Sequence, residues 1–146
     1  MKKENGYYVK RHSCFLLQYH LVLVTKYRHP VITDELNSKL LEYTENYFVK
    51  QDMNLLSINT DKDHIHILFE CSPTVNLPNF VNAFKSASSR QMRKQFPEFL
   101  SKYYWKPYFW SLSYFICTVS EHSTELMKQY IANQQPHSKL RGLNKV

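Results

Sequence analysis

The stretch DKDHIHILFE, residues 61–70, decides the fold. From His64 onward apolar and polar side chains alternate, which is the period of a strand with one face buried. Ile65, Ile67 and Phe69 then point to one side of a sheet, and His64, His66 and Leu68 to the other. The polar DKD reads as a turn, and LLSINT at 55–60 as the strand that feeds it. Upstream, CFLLQYHLVLVT at 14–25 is apolar on both faces, as a central strand is. Between these strands Thr33 offers a helix cap, with Asp34 and Glu35 in the first turn where carboxylates suit the helix dipole. That helix runs to about Gln51 with Leu36, Leu40, Tyr43 and Tyr47 on one stripe.

Downstream, a second helix runs from Asn76 to about Gln95, buried through Leu77, Phe80, Val81 and Phe84. A last strand covers 110–119, and Ser123 caps a final helix that continues through Gln135 and stops at Pro136. The order is β-α-β-β-α-β-α. Its first six elements match the split βαβ layout of ferredoxin-like and RRM-like sandwiches, with the first and third strands central. The expected class is therefore α+β: an antiparallel βαββαβ sandwich with an added C-terminal helix. Residues 1–146 form a single domain, with an ordered core of about 12–135 and mobile tails at 1–11 and 136–146.

Composition narrows the function. Nineteen Lys and Arg against 12 Asp and Glu give a net charge of +7, which draws the chain toward polyanions. The two glycines, Gly6 and Gly142, lie near the ends. A phosphate-binding loop, a dinucleotide fingerprint and a nucleophile elbow all need interior glycines, so no nucleotide cofactor is expected. Cys14, Cys71 and Cys117 lack disulfide-framework or zinc spacing and suit a reducing cytoplasm. No signal peptide and no membrane span is readable.

His64 and His66, two apart on a strand, stand about 6–7 Å apart at Cα on the open sheet face. That spacing lets both imidazoles converge on one metal ion. It also suits two histidines hydrogen-bonded beneath a covering helix, and the triplet alone leaves both readings open. The last helix offers such a cover. Leu126, Met127 and Ile131 are its docking side, and Tyr130 and Gln134 share a face one turn apart.

QYHLVLVTKYRHPVI at 18–32, DKDHIHILFE at 61–70 and YIANQ at 130–134 together resemble the single-tyrosine TnpA transposases of the insertion-sequence 200/605 family. These are related to the REP-associated tyrosine transposases, and belong to the His-hydrophobic-His (HUH) endonucleases. The resemblance covers about residues 12–135. It implies that His64 and His66 are metal ligands, that Gln134 is the third ligand, and that Tyr130 is the nucleophile. It further implies cleavage and rejoining of single-stranded DNA at hairpin-marked element ends through a 5′-phosphotyrosine link, with Mg²⁺ or Mn²⁺ as the divalent metal. The partners it implies are hairpin DNA and a second copy of the chain, in a homodimer whose active sites are completed in trans. Elementary chemistry agrees with these roles. A phenol with pKa near 10 needs help to attack a phosphate. Two imidazoles and an amide leave positions open on a six-coordinate ion for phosphate oxygens.

Lys26, Arg28, Lys85 and Arg90 are candidate phosphate contacts, or else solvated faces of ordinary turns and helices. Tyr103, Tyr104, Trp105 and Tyr108 are candidates for base stacking or for core. His20 reads as an interior histidine, and Asp61 and Asp63 as a polar turn or as partners orienting an imidazole. One departure stands out: many relatives have a glycine hinge before the tyrosine helix, whereas residues 120–123 here are Ser, Glu, His and Ser. The alternative function is a non-catalytic or domesticated single-strand nucleic-acid binder of the same fold. An RNA-recognition module would place aromatics where this chain places histidines.

Overall fold

The structure, a computed structural model, describes residues 1–134. The expected stop at Pro136 and the tail 136–146 lie outside the described residues. The four-stranded sheet runs in the order β5-β6-β4-β7, built from β4 (Gln18–Val24), β5 (Asn54–Asp61), β6 (His64–Glu70) and β7 (Phe115–Thr118), all antiparallel. Helices α1 (Asp34–Lys50) and α2 (Leu77–Gln95) cover one face, and α4 (Ser123–Ala132) lies on the other. This is the α+β, ferredoxin-like sandwich with an added C-terminal helix.

Alternation sorts the two faces. Leu21 pairs Ile67 and Leu23 pairs Ile65, and these meet Phe48, Phe80 and Phe84 from the helices in the main core. The Phe48 ring stands 5.2–5.6 Å from Phe69, Phe80 and Phe84. Each such fully buried side chain contributes about 1.5–3 kcal/mol. On the opposite face Val22 and Val24 meet Met127, with Phe115, Tyr130 and Ile131 packed around them. Leu126, expected to help dock α4, is exposed instead.

Residues 1–11 are not a tail. β1 (Lys3–Glu4), β2 (Tyr7–Lys10) and β3 (Ser13–Phe15) form a second, antiparallel sheet. Asn5 and Gly6 both have positive φ (54° and 87°), which is the type I′ geometry that Asn-Gly favours at a tight hairpin. Tyr8 is 1% exposed and stacks on Phe15 at 5.4 Å. Its hydroxyl donates to Glu70 Oε1 at 2.5 Å and accepts from Asn54. Lys3 and Gln18 bind Glu70 Oε2 at 2.7 and 2.6 Å. With the Asn54 amide also 3.5 Å from Oε1, four partners hold one fully buried carboxylate at the end of β6.

Other boundaries moved. The apolar run 14–25 is two strands, broken at Leu16 and Leu17 where the chain passes from one sheet to the other. The last strand begins at Phe115, because Trp110 makes only a single bridge to Thr25 and sends its indole N–H inward to Ser88 Oγ at 2.9 Å. Asn76 caps α2 by accepting from the Asn79 amide at 3.1 Å, whereas Thr33 makes no side-chain cap. Ser123 caps nothing either. Its buried hydroxyl turns back to the Thr118 and Ser120 carbonyls at 3.1 and 3.0 Å and accepts from the Ser120 amide at 2.6 Å. The glycine-free linker is therefore a closed, hydrogen-bonded turn. A short α3 (Pro97–Ser101) follows α2 with Pro97 in its first turn. Among the described residues no helix is long and apolar enough to cross a membrane.

Candidate active site

Register builds the site. His64 lies opposite Val24, His66 opposite Val22, and His20 opposite Leu68, so all three imidazoles share the α4 side of the sheet. From β5, Asp61 lies opposite His64 and Asn59 opposite His66. With Thr124, Met127, Lys128 and Ile131 of α4 above them, these residues line a cavity of about 380 Å³.

The two histidines of the pair are held differently. His64 Nδ1 meets Asp63 Oδ1 at 2.9 Å, and Asp63 Oδ2 accepts from Arg28 Nε at 2.7 Å. With His64 as donor, its Nε2 is left with a free lone pair, the arrangement a carboxylate partner gives a metal-binding imidazole. Burial pushes the Asp63 carboxyl up, but the His64 and Arg28 hydrogen bonds outweigh it and hold the group below its ordinary value. Arg28 reaches Asp63 from a strained turn, since Tyr27 and Arg28 have φ of 58° and 57°. His66 Nε2 meets His20 Nδ1 at 2.8 Å, the rings 5.0 Å apart, and the two nitrogens share one proton. Burial, reinforced by His20 and His64, lowers the His66 pKa, and burial lowers that of His20, which favours the uncharged form of each ring.

Tyr130 and Gln134 do not line this cavity. The Tyr130 hydroxyl pairs with Ser113 Oγ at 2.8 Å, and its ring packs on Phe115 at 5.3 Å. Burial raises its pKa, with the Ser113 hydrogen bond opposing. Gln134 lies just past the end of α4. Its amide donates to the Tyr130 carbonyl at 3.3 Å, and its own carbonyl accepts from Arg28 at 3.5 Å. The structure thus brings His64, His66, His20 and Asp63 together, and sets the tyrosine and the glutamine amide to one side.

The basic candidates divide likewise. Lys26 is buried with its ammonium 4.9 Å from the Tyr108 ring. Arg28 is committed to Asp63. Lys85 is half-buried and donates to the Leu112 carbonyl at 2.7 Å. Arg90 is exposed and lies with Arg93 and Lys94 on a separate basic groove. Of the aromatic cluster, Tyr104 is buried with its hydroxyl on the Lys26 carbonyl, and Tyr103 and Tyr108 pack on the core. Trp105 is 82% exposed under Lys106, and it is the member of the cluster free to stack. Sequence reasoning missed Ser113 and Lys128. Helical spacing from Thr124 through Lys128 to Ile131 could have found the latter, while nothing local marks the former.

The donor set fits a divalent ion in part. Two imidazoles with oxygen-bearing Asn59, Thr60 and Asp61 beside them are donor types that Mg²⁺ or Mn²⁺ accepts. Among the described residues no three His, Cys, Asp or Glu side chains close on one point, so the pair is a two-donor site open to further oxygen ligands.

Comparison with known proteins gives this geometry a context. The family model "Transposase IS200 like" matches residues 13–134. The ISDra2 transposase TnpA of Deinococcus radiodurans is 33% identical over 134 residues, 92% of this chain and 91% of that protein. A transposase for insertion sequence element IS200 from Salmonella typhimurium is 26% identical over 129 residues, 88% and 84% of the two chains. A crystal structure of a transposase from Deinococcus radiodurans R1 superposes with a TM-score of 0.79 at 36% identity, over 92% of this chain and 98% of that one. These likenesses define the class first, which is a transposase, an enzyme that cleaves DNA and transfers strands. Within that class the chain belongs to the IS200-like family, since the family model spans nearly all of its described residues.

Proposed function

We propose that the protein cleaves and rejoins single-stranded DNA at hairpin-marked ends of an insertion sequence, using Tyr130 as nucleophile. The observation that supports this most directly is the His64–His66 imidazole pair on one sheet face, roofed by the helix that carries Tyr130. In the reaction the Tyr130 oxygen forms a bond to phosphorus and the P–O3′ bond breaks. The phenolic proton is lost, and the departing strand leaves as a 3′-OH. The tyrosyl ester conserves the broken bond, so a 3′-OH can reverse the step without a nucleotide cofactor. A divalent ion, when bound, supplies charge neutralisation at the scissile phosphate. His64 and His66 would hold that ion, with Gln134 as the third ligand once its amide leaves the Tyr130 carbonyl. Asp63 fixes the His64 ring through its Nδ1.

Because Tyr130 is paired with Ser113 here, productive geometry needs the tyrosine helix to approach a histidine pair from another placement. A homodimer in which that pair belongs to the partner meets this need. A second reading, a retained single-strand DNA binder without cleavage, draws on the same observation: nucleophile and amide are both satisfied within the chain. One experiment separates the two. The protein is mixed with single-stranded DNA from the flanks of its own gene, with and without Mn²⁺, and run on a denaturing gel. A metal-dependent covalent adduct is expected for the wild type, and Tyr130→Phe should lose it entirely while hairpin binding stays within about twofold. Tight binding with no adduct in either protein would favour the second reading. An adduct that persists in Tyr130→Phe would remove Tyr130 as nucleophile.

A further inference from the structure

Among the described residues the His66 side chain has one hydrogen-bond partner, and it is a third imidazole. His20 lies on β4 diagonally across from His66 and lines the same cavity. The two facing nitrogens, His20 Nδ1 and His66 Nε2, stand 2.8 Å apart, so one of them donates and the other spends its lone pair as acceptor. His64 Nδ1 is taken by Asp63, which leaves Nε2 as its coordinating atom. Two histidines at alternate positions of one strand reach a common point out beyond the sheet, where each presents its distal Nε2. The atom of His66 that would join His64 on an ion is therefore the atom that His20 now covers.

We propose that His20 is a placeholder for the metal. Its Nδ1–H caps the His66 Nε2 lone pair in the metal-free protein, and a divalent cation binds by displacing it. The cap holds His66 as the Nδ1–H tautomer, the form that can ligate through Nε2, and it keeps a half-buried acceptor satisfied until the ion arrives. His20 is thus a positioning residue that opposes metal binding, where a third ligand would promote it. The absence of a closed three-donor cage among the described residues agrees with that sign. The inference rests on the reading of His64 and His66 as metal ligands, and the test separates its failure from the failure of that reading.

Mn²⁺ alone is titrated into the full chain without DNA, and free Mn²⁺ is followed by electron paramagnetic resonance. His20→Phe keeps a ring in place and removes the cap, so it should bind Mn²⁺ about 2- to 10-fold more tightly, the worth of one net hydrogen bond. His20→Asn keeps an N–H near the position of Nδ1 and should stay within about twofold of the wild type. Ring-nitrogen NMR of the metal-free wild type should show His66 protonated on Nδ1, a readout that needs no variant to fold. Weaker binding by His20→Phe would make His20 a ligand or a support and overturn the proposal, as would His66 protonated on Nε2. Equal affinities in a wild type that does bind Mn²⁺ would overturn the placeholder alone. No Mn²⁺ binding by any of the three proteins would overturn both the placeholder and the metal site beneath it.

Discussion

At its C-terminal end strand β6 buries Glu70 with both carboxylate oxygens taken. At its N-terminal end, six residues and roughly 20 Å earlier, it leaves His64 and His66 on the wall of a cavity. Both clusters join several strands, but they are built for different work. Around Glu70, Lys3, Tyr8, Gln18 and Asn54 converge from β1, β2, β4 and β5, two donors on each carboxylate oxygen. Around the histidines every bond is singular and exchangeable: Asp63 for His64, His20 for His66, Ser113 for Tyr130, the Tyr130 carbonyl for Gln134. A saturated network rigidifies, and a set of single partners permits replacement by a ligand. One strand thus carries an anchor at one end and a reactive opening at the other.

The sharpest way to break this comparison is to exchange the expected consequences of the two ends. His64→Ala should reduce metal-dependent cleavage to background while shifting unfolding free energy by less than about 1 kcal/mol, because the lost ring lines a cavity and its Asp63 partner keeps Arg28. Cleavage assays beside urea melts measure both quantities. Unchanged Mn²⁺-dependent cleavage would sink the ligand assignment, and global unfolding would sink the contrast between the ends.

Glu70→Ala should do the reverse. Removing the carboxylate leaves Lys3, Gln18, Tyr8 and Asn54 without their shared acceptor, a loss of about 2–4 kcal/mol. Cleavage per folded molecule should hold. The N-terminal sheet should loosen first, which hydrogen exchange at the β2 amides would register. A Glu70→Ala protein as stable as wild type would mean that the cluster is ornament to the fold.

How much of either end could be read in the sequence follows from the range of the interactions. Alternation in HIHILFE and the order of elements are local, so the sandwich and the face bearing His64 and His66 were legible. Helical spacing made the Met127 and Ile131 side of the last helix legible but not the exposure of Leu126. The N-terminal sheet differs from the expected tail because its local signal, Asn5-Gly6 ahead of Tyr7, Tyr8 and Val9, is short and terminal. The Glu70 network and the His20–His66 bond were not legible, since both depend on cross-strand register between residues 16 to 67 positions apart. Nor does any spacing within 113–130 announce that a serine hydroxyl receives the tyrosine.

The smallest expected effect is a pH dependence, and it tests whether the Glu70 end works through its charge. Burial pushes the Glu70 carboxyl up, but hydrogen bonds from Lys3, Tyr8, Gln18 and Asn54 outweigh burial and hold it below the ordinary value of 4.5. The folded state therefore binds this proton less readily than the unfolded state. The resulting stability is fully present above about pH 4.5 and is lost as pH falls through the folded value. Tyr8 works in the opposite direction. Burial, then the hydrogen bond and charge of Glu70, raise its hydroxyl to about 12, so its contribution holds below pH 10 and fades between 10 and 12. Asp63 titrates in the acid range as well, so the wild-type curve mixes the two ends of the strand. The difference between wild type and Glu70→Gln isolates one of them. Urea melts should show a constant gap from pH 8 to about 5 that narrows as pH falls below 4.5, because protonated Glu70 and the substituted amide carry the same charge. A gap independent of pH would place the stabilisation in the shape of the side chain and would remove charge from the account of this end of β6.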